Sequence, residues 1–396
     1  MPLTLLCIAT YRKGDEFLRE CRRQGCRVLL VTEEKLRDAD WPAEAVDAFY
    51  YVRRGMSDQD IRAGGAHLAR TERLDRIVAL DDFDVETAAM LREYLQVPGM
   101  GQTTARAFRD KLAMRNRARA AGIPCPDFIH VLNREAMARW VARVPAPWLL
   151  KPRSQAAAIG IRRIDSAEEL WRIVESLGDE AADYLLERFV PGDVFHVDSI
   201  VFDGKVRFAR ASRYRTPPMA VAHDGGIFVT ATLDVHDAAS LALHDLNERV
   251  LTSFGLQRGA SHTEFIRAHD GEWHFLETSA RVGGAYIVDV VEAASGLNLW
   301  AEWARTEIAG DGGSYEPSGA RDGQAGIVLS LARQEEPDTS DYQEAEIGRR
   351  IKRPHHVGLI VTAPEAGRVS ALLDEYAARI ERDFHASAPA PERPAD

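Results

Sequence analysis

Cysteine is scarce in this chain: four among 396 residues, at positions 7, 21, 26 and 125. Cys21 and Cys26 are too far apart in sequence for a CxxC and no second pair completes a metal set, which excludes a structural zinc site of the usual spacing. Free thiols, buried or half-buried in a reducing compartment, are the expectation. Long apolar runs are also missing. None approaches the roughly 20 residues that span a bilayer. Leu3–Ala9 is apolar but has neither a basic leader nor a cleavage-like site, so the cytoplasm is the expected compartment and no membrane is expected as a partner. Positive charge is in deficit, with 50 Lys and Arg against 61 Asp and Glu, a net of −11. That argues against nucleic acid as the main partner, since phosphate backbones are bound by surplus Lys and Arg, yet it leaves room for a local basic pocket. The glycine fingerprint of dinucleotide folds is absent too: Ala9-Thr-Tyr-Arg-Lys-Gly14 stands where GxGxxG would follow the first strand, so a dehydrogenase loses its main support.

What is present is an ordinary globular composition, 45% hydrophobic and 28% charged, with length for two or three domains. Over the first hundred residues short apolar runs (3–9, 27–32, 76–80) alternate with amphipathic stretches (15–23, 58–70, 84–95). This alternation predicts a parallel sheet in a Rossmann-like α/β domain, residues 1–104. A Gly/Pro-containing stretch at 98–104 marks its boundary. A basic helix over 105–121 follows, stopped by Gly122 and Ile-Pro-Cys-Pro. Strands at 148–151 and 159–164, a helix at 167–177 and a strand at 184–189 make a small α+β unit, 105–190. A larger unit, 191–320, opens on a hairpin with Asp203-Gly204 as its turn and contains a helix at 238–254. Residues 321–385 offer further strands and a helix at 368–380. The Ala-, Pro- and charge-rich tail, 386–396, reads as disordered.

The most informative segment is Thr263-Glu-Phe-Ile-Arg-Ala-His-Asp-Gly-Glu-Trp-His-Phe-Leu-Glu-Thr278. Asp-Gly between alternating apolar residues is a strong hairpin signal, because glycine accepts the positive φ of a two-residue turn. With Asp270-Gly271 as the turn, Phe265 pairs with Leu276, Glu264 with Glu277 and His262 with Ser279. Period-two alternation then sets His262, Glu264, Glu277, Ser279 and Arg281 on one polar face, with Phe265 and Leu276 on the other. Directly opposed carboxylates repel. A chain that builds such a pair calls for a cation between them, and oxygen donors of this kind suit magnesium, held with substrate phosphates.

Two lysines lie upstream: Lys111 beside Asp110 in the basic helix, and Lys151 at the end of an apolar strand beside the small-residue loop Ser154–Gly160. From there a lysine can reach a phosphate while loop amides approach it. Arg213 and Arg215 offer forks for a substrate carboxylate, with His262 as a further substrate contact. His196 stands either near a ribose or as a cap on its hairpin.

Arg109-Asp-Lys-Leu-Ala-Met-Arg with Ala121-Gly-Ile-Pro-Cys-Pro, then Leu149-Leu-Lys-Pro, Leu186-Glu-Arg-Phe-Val-Pro-Gly192, Gly259-Ala-Ser-His-Thr-Glu-Phe265 and Phe275-Leu-Glu-Thr-Ser-Ala-Arg-Val-Gly-Gly284 occur in this order. Together they resemble the ATP-grasp superfamily, in particular its carboxylate–amine ligase-like members, from Met1 to about residue 380. The resemblance implies an N-terminal Rossmann-like domain followed by a two-subdomain ATP-grasp fold. It implies ATP and magnesium (or manganese) as cofactors, with Lys111 and Lys151 on the phosphates beneath loop 153–160. Glu187, Arg188 and Val190 fall at the hinge that reads the adenine, and Glu264, Glu277 and Ser279 at the metal positions. Arg281 matches the arginine beside the transferred phosphoryl group, so that Arg281 and Lys151 carry catalysis. The implied reaction activates a carboxylate as an acyl phosphate for attack by an amine, both small molecules; a homodimer is the default expectation for a symmetric soluble enzyme. A catalytically weak ATP-binding regulator, and a carboxylase or kinase on the same fold, are the alternatives. Two positions depart from the family pattern: Ser279 where asparagine is common, and an alanine-rich phosphate loop where glycine is common.

Overall fold

Three hydrogen-bonded sheets follow one another along the chain in a computed structural model that describes residues 2–387 apart from 157 and 318. Of the tail read as disordered, residues 388–396 lie outside the described residues. The first sheet holds β1 (Thr4–Ile8), β2 (Arg27–Glu33), β3 (Ala48–Val52) and β4 (Arg76–Ala79) in the order β3-β2-β1-β4, all parallel. β3 is absent from the expected elements. Its five residues are all half-buried at the sheet's edge, so they show no in–out alternation for a pattern to catch. Between the strands, helix Asp15–Arg23 begins and ends where the amphipathic pattern does, with Phe17, Leu18 and Cys21 inside.

The basic stretch expected as one helix over 105–121 is two helices, Gln102–Arg106 and Lys111–Ala120. Asp110 breaks it. Its carboxylate accepts from the amides of Leu112 (2.9 Å) and Ala113 (3.3 Å) as an N-cap, and an N-cap takes extended rather than helical backbone. Lys111 therefore sits at a helix start rather than inside a helix. The second sheet, β5 (Phe128–His130), β6 (Trp148–Pro152), β7 (Arg162–Ile164) and β8 (Tyr184–Arg188), has the order β5-β8-β6-β7 and is antiparallel.

Eight antiparallel strands make the third sheet: β9 (Gly192–Phe202), β10 (Lys205–Tyr214), β11 (Phe228–Thr232), β12 (Arg258–Ala268), β13 (Trp273–Ser279), β14 (Gln324–Leu331), β15 (Ile347–Arg353) and β16 (His356–Ala363). Their order is β13-β12-β9-β10-β11-β14-β16-β15, so segment 321–385 shares a sheet with residues 191–320. The β9–β10 turn is the Asp203-Gly204 pair, both with positive φ (54° and 67°), closed by Phe202 opposite Lys205, as a two-residue hairpin turn requires. Helix Ala238–Phe254 lies over one face of this sheet and buries Leu243, Val250, Leu251 and Phe254, a stripe at helical spacing. Each such side chain contributes about 1.5–3 kcal/mol of burial. On the other face a continuous core runs from Leu5 and Val28 of the first sheet through Phe17 and Trp303 to Ile200 of β9. Phe17 and Trp303 meet edge to face at 5.3 Å. This packing brings the ends of β1 and β4 beside the open side of the β12–β13 hairpin. Among the described residues no helix is long and apolar enough to cross a membrane.

Candidate active site

The β12–β13 hairpin sets the floor of the site, with one compensated difference from expectation. Its loop is longer than a two-residue turn: Ala268 N–H donates to Glu272 O (2.8 Å), and Gly271 carries φ +90°. The added residue shifts the pairing by one, so Phe265 stands opposite Phe275 rather than Leu276. A bulge between Glu264 and Phe265 then restores the register, and Glu264 faces Glu277 and His262 faces Ser279, as the sequence predicts. Bulges re-aim side chains in this way. Here Leu276 leaves the apolar face and lines the cleft, while Phe265 and Phe275 stay together in the core.

The cleft, about 900 Å³, draws its walls from all three sheets. At its floor Glu264 accepts a hydrogen bond from the Tyr214 hydroxyl (2.9 Å) on Oε1, with His262 Nε2 at 3.5 Å from the same oxygen. Lys111 reaches across to Glu277 Oε2 (3.1 Å) and donates to the carbonyl of Gln155 (2.6 Å). One ammonium thus joins the acidic pair to the loop expected over the phosphates. Burial opposes the charge on Glu277, and Lys111, with Lys151 farther off, outweighs it and holds the carboxyl below its ordinary range. At His262 burial works against protonation, but the Asp198 carboxylate 2.9 Å from Nδ1 pushes its pKa up to about 9.

The second sheet supplies a buried ion triad. Glu187 accepts from Lys151 Nζ on one oxygen (2.6 Å) and from Arg115 Nε on the other (2.6 Å). Burial opposes ionisation of Glu187, and Arg115 and Lys151 together keep it ionised. Lys151 and Val190 line the cleft. Arg188 does not: β8 alternates, so its side chain lies on the outer side, where it lines a separate surface pocket with Arg119 and Asp127. The amides of Arg188 and Phe189 are also spent on the carbonyls of Asp127 (2.7 Å) and Pro147 (3.1 Å). Arg115 was missed by the sequence reading, although it closes the quoted Arg109-to-Arg115 motif. The loop after Lys151 is pinned by Arg109, which donates to the carbonyl of Ser154, and by Arg153, which pairs with Asp110.

The first sheet contributes residues that sequence reasoning passed over. Asp82, buried just past β4, accepts from Arg281 NH2 (2.6 Å) and from Ser279 Oγ (3.3 Å), both through Oδ2. Its Oδ1 is buried with no hydrogen-bond partner. Burial opposes its charge, yet Arg281 and Arg109 hold it ionised. Lys13, past the end of β1, pairs with Asp81, and both line the cleft. A findable signal existed: Asp81-Asp82-Phe83-Asp84 follows a parallel strand, and open parallel sheets bind ligands beyond the carboxyl ends of their strands.

Three other expected contacts lie outside the cleft. Arg213 pairs with Asp193 (2.8 Å) and Arg215 with Asp374 (3.0 Å), both about half exposed. Tyr214 between them faces the cleft, and neighbours along a strand point oppositely. His196 is enclosed behind the floor, between Asp198 Oδ2 (2.6 Å) and Thr230 Oγ1 (2.8 Å), and its side chain neither reaches the cleft nor caps its hairpin. His262, by contrast, does line the cleft.

Residues 144–289 match the family model of the ATP-grasp domain. That segment is similar to an ATP-grasp domain, and the chain is similar to carboxylate–amine ligases. It is 28% identical over 233 residues to an L-arginine-specific L-amino acid ligase of Bacillus subtilis, across 57% of this chain and 56% of that protein, so the match spans a little over half the relative's length. In fold it resembles an L-amino acid ligase from Bacillus licheniformis, with a TM-score of 0.76 and 17% identity over 97% of this chain and 98% of the other. It also resembles the biotin carboxylase domain of 2-oxoglutarate carboxylase from Hydrogenobacter thermophilus, solved with MgADP and bicarbonate, at a TM-score of 0.71 and 18% identity over 96% and 90% of the two chains. The matched segment contains Lys151, Glu187, Glu264, Glu277 and Arg281, while Lys111 and Asp82 come from outside it.

Proposed function

We propose that the cleft binds ATP with a divalent cation and joins a small carboxylate to an amine through an acyl phosphate. The observation that carries this reading is the facing pair Glu264 and Glu277, ringed by Lys111, Lys151 and Arg281 in one cleft. On this reading residues 1–104 are a Rossmann-like domain that offers the acceptor substrate. Residues 105–190 and 191–320 close on the nucleotide, with 321–385 extending the larger subdomain.

The donor set fits magnesium. Two opposed carboxylates are hard oxygen donors, and a cation, the Lys111 ammonium, already stands 3.1 Å from one of them. Glu264 and Glu277 would hold the ion, and Ser279, whose hydroxyl donates to Asp82, keeps its oxygen lone pairs for the same ion. Bound there, the ion supplies charge neutralisation for the β- and γ-phosphates. Lys111 moves from Glu277 to a phosphate oxygen, and Lys151 turns from Glu187 toward the same phosphates. Arg115 remains to hold Glu187. Val190 and Leu276 give the apolar walls beside the hinge that receive the base.

A carboxylate resists nucleophiles because of its own charge. Its oxygen attacks the γ-phosphorus, the bond to the β-phosphate oxygen breaks, and ADP leaves. The amine then adds to the acyl carbon, phosphate departs and the nitrogen loses a proton. Arg281 lies where negative charge on the transferred phosphoryl group is met, and catalysis consists of positioning and charge stabilisation. Asp82 has a buried acceptor oxygen without a donor beside Arg281. The Asp82 carboxylate is part of the cleft lining and would attract an ammonium group on a substrate, so an amino acid is the substrate class favoured.

The test is a phosphate-release screen with ATP, magnesium and pooled amino acids and short carboxylic acids, followed by mass analysis of products. Phosphate release that requires both an acid and an amine, with an amide product, is expected. Release driven by bicarbonate alone, a stable phosphorylated product, or no release with any pool would overturn the ligase reading.

A further inference from the structure

Beneath the acidic pair runs a row of buried polar side chains that the steps above leave unused. Asp198 on β9 is fully enclosed, and each of its oxygens meets an imidazole: Oδ2 with His196 Nδ1 at 2.6 Å, Oδ1 with His262 Nδ1 at 2.9 Å. Strand register builds the row, for His262 stands opposite Asp198 and Glu264 opposite His196. His196 Nε2 continues it to Thr230 Oγ1 (2.8 Å), whose hydroxyl donates to the Arg213 carbonyl (3.1 Å). At the other end His262 Nε2 and the Tyr214 hydroxyl converge on Glu264 Oε1, at 3.5 Å and 2.9 Å.

Such a row is costly to build. A buried carboxylate forfeits several kcal/mol of hydration, and apolar residues at these positions would fill the sheet without that loss. The two imidazoles and the carboxylate lie close enough to cage an ion. Each Nδ1, however, already donates its hydrogen to Asp198, so neither presents a lone pair there. The row holds something else in place, and it meets the acidic pair at Glu264.

We propose that Asp198 is a positioning residue for the metal site, acting through His262 and beside Tyr214 to fix Glu264 Oε1 so that the carboxylate meets a divalent cation in one preset orientation. This rests on the reading of Glu264 as a metal ligand. With Oε1 engaged, Oε2 is the oxygen left for the ion, and the rotamer entropy otherwise lost on binding is already lost in the free protein. Outer-shell partners of this kind change metal affinity about 10–100-fold when removed.

The experiment measures Mn²⁺ affinity by electron paramagnetic resonance in saturating ADP, and ADP affinity without metal by calorimetry. It compares the parent protein with Asp198→Asn, His262→Gln, Tyr214→Phe and Glu264→Gln. Asp198→Asn is expected to weaken Mn²⁺ binding about tenfold or more, Tyr214→Phe by a smaller factor, and both are expected to keep the parent's metal-free ADP affinity. Should Asp198→Asn fail to fold, His262→Gln, which cuts the link from Asp198 to Glu264, decides in its place. Parent-like Mn²⁺ affinity in these variants while Glu264→Gln loses it would overturn the positioning role and leave the metal reading standing. Metal-free ADP affinity falling in step with Mn²⁺ affinity would also overturn it, since that marks a general structural defect. Parent-like Mn²⁺ binding by Glu264→Gln would remove the metal reading itself.

Discussion

Asp84 offers a prediction whose sign and size both follow from its surroundings. It is buried at the cleft end of the first sheet, with Oδ2 accepting from the Thr10 amide and Oδ1 from the Thr10 hydroxyl, each at 2.9 Å. Burial raises its pKa from 3.8 to about 7 against the pull of the Thr10 hydrogen bonds, and the charge of Asp81 adds to the rise. Between those two values the unfolded chain has released the proton while the folded protein keeps it. Stability therefore falls as pH rises through this window, and above it the full cost of burying the charge is present. The gap corresponds to about 4 kcal/mol at about 1.4 kcal/mol per tenfold change in proton affinity. Asp84→Asn keeps the shape: its oxygen accepts from the Thr10 amide and its NH₂ donates to the Thr10 hydroxyl. The variant should match the parent near pH 4 and exceed it by up to about 4 kcal/mol at pH 8. Urea unfolding at both pH values measures this, with hydrogen exchange of β1 and β4 amides assigning the effect to the first sheet. A difference that does not change with pH, or a variant less stable than the parent at pH 8, refutes the reasoning.

Other outcomes follow from the same geometry. Lys151→Ala should weaken ATP binding roughly 10- to 100-fold, the worth of about 1.5–3 kcal/mol for a hydrogen bond to a charged group; unchanged affinity by calorimetry contradicts the role. Arg213→Ala and Arg215→Ala each remove a half-exposed surface ion pair, so stability should stay within about 1 kcal/mol of the parent and kcat/KM should not change. A large loss of kcat/KM in either would return these arginines to the substrate site.

The legible parts of this protein are those fixed by local pattern. Helix 238–254 and the Asp203-Gly204 turn stand where periodicity and turn chemistry place them. The acidic pair was legible for a subtler reason: a one-residue error in the turn is cancelled by the bulge before Phe265, because the pairing that matters is the one the cleft needs. What escaped depends on distance. Asp82 meets Arg281 across 199 positions and two sheets, and no spacing rule links them. Arg213 and Arg215 carry the charge a substrate fork needs, but strand alternation aims Tyr214 inward and leaves both arginines in surface ion pairs. His196 is a polar residue close to a nucleotide motif in sequence, yet the register buries it opposite Glu264.

The proposed function requires Glu264 and Glu277 to hold a divalent ion against a nucleotide's phosphates, and Glu277→Ala tests it most directly. With its fold confirmed by circular dichroism, the variant should show no magnesium-dependent ATP turnover on the substrate pair that the screen identifies. A folded Glu277→Ala protein that turns over ATP at the parent rate would contradict the account.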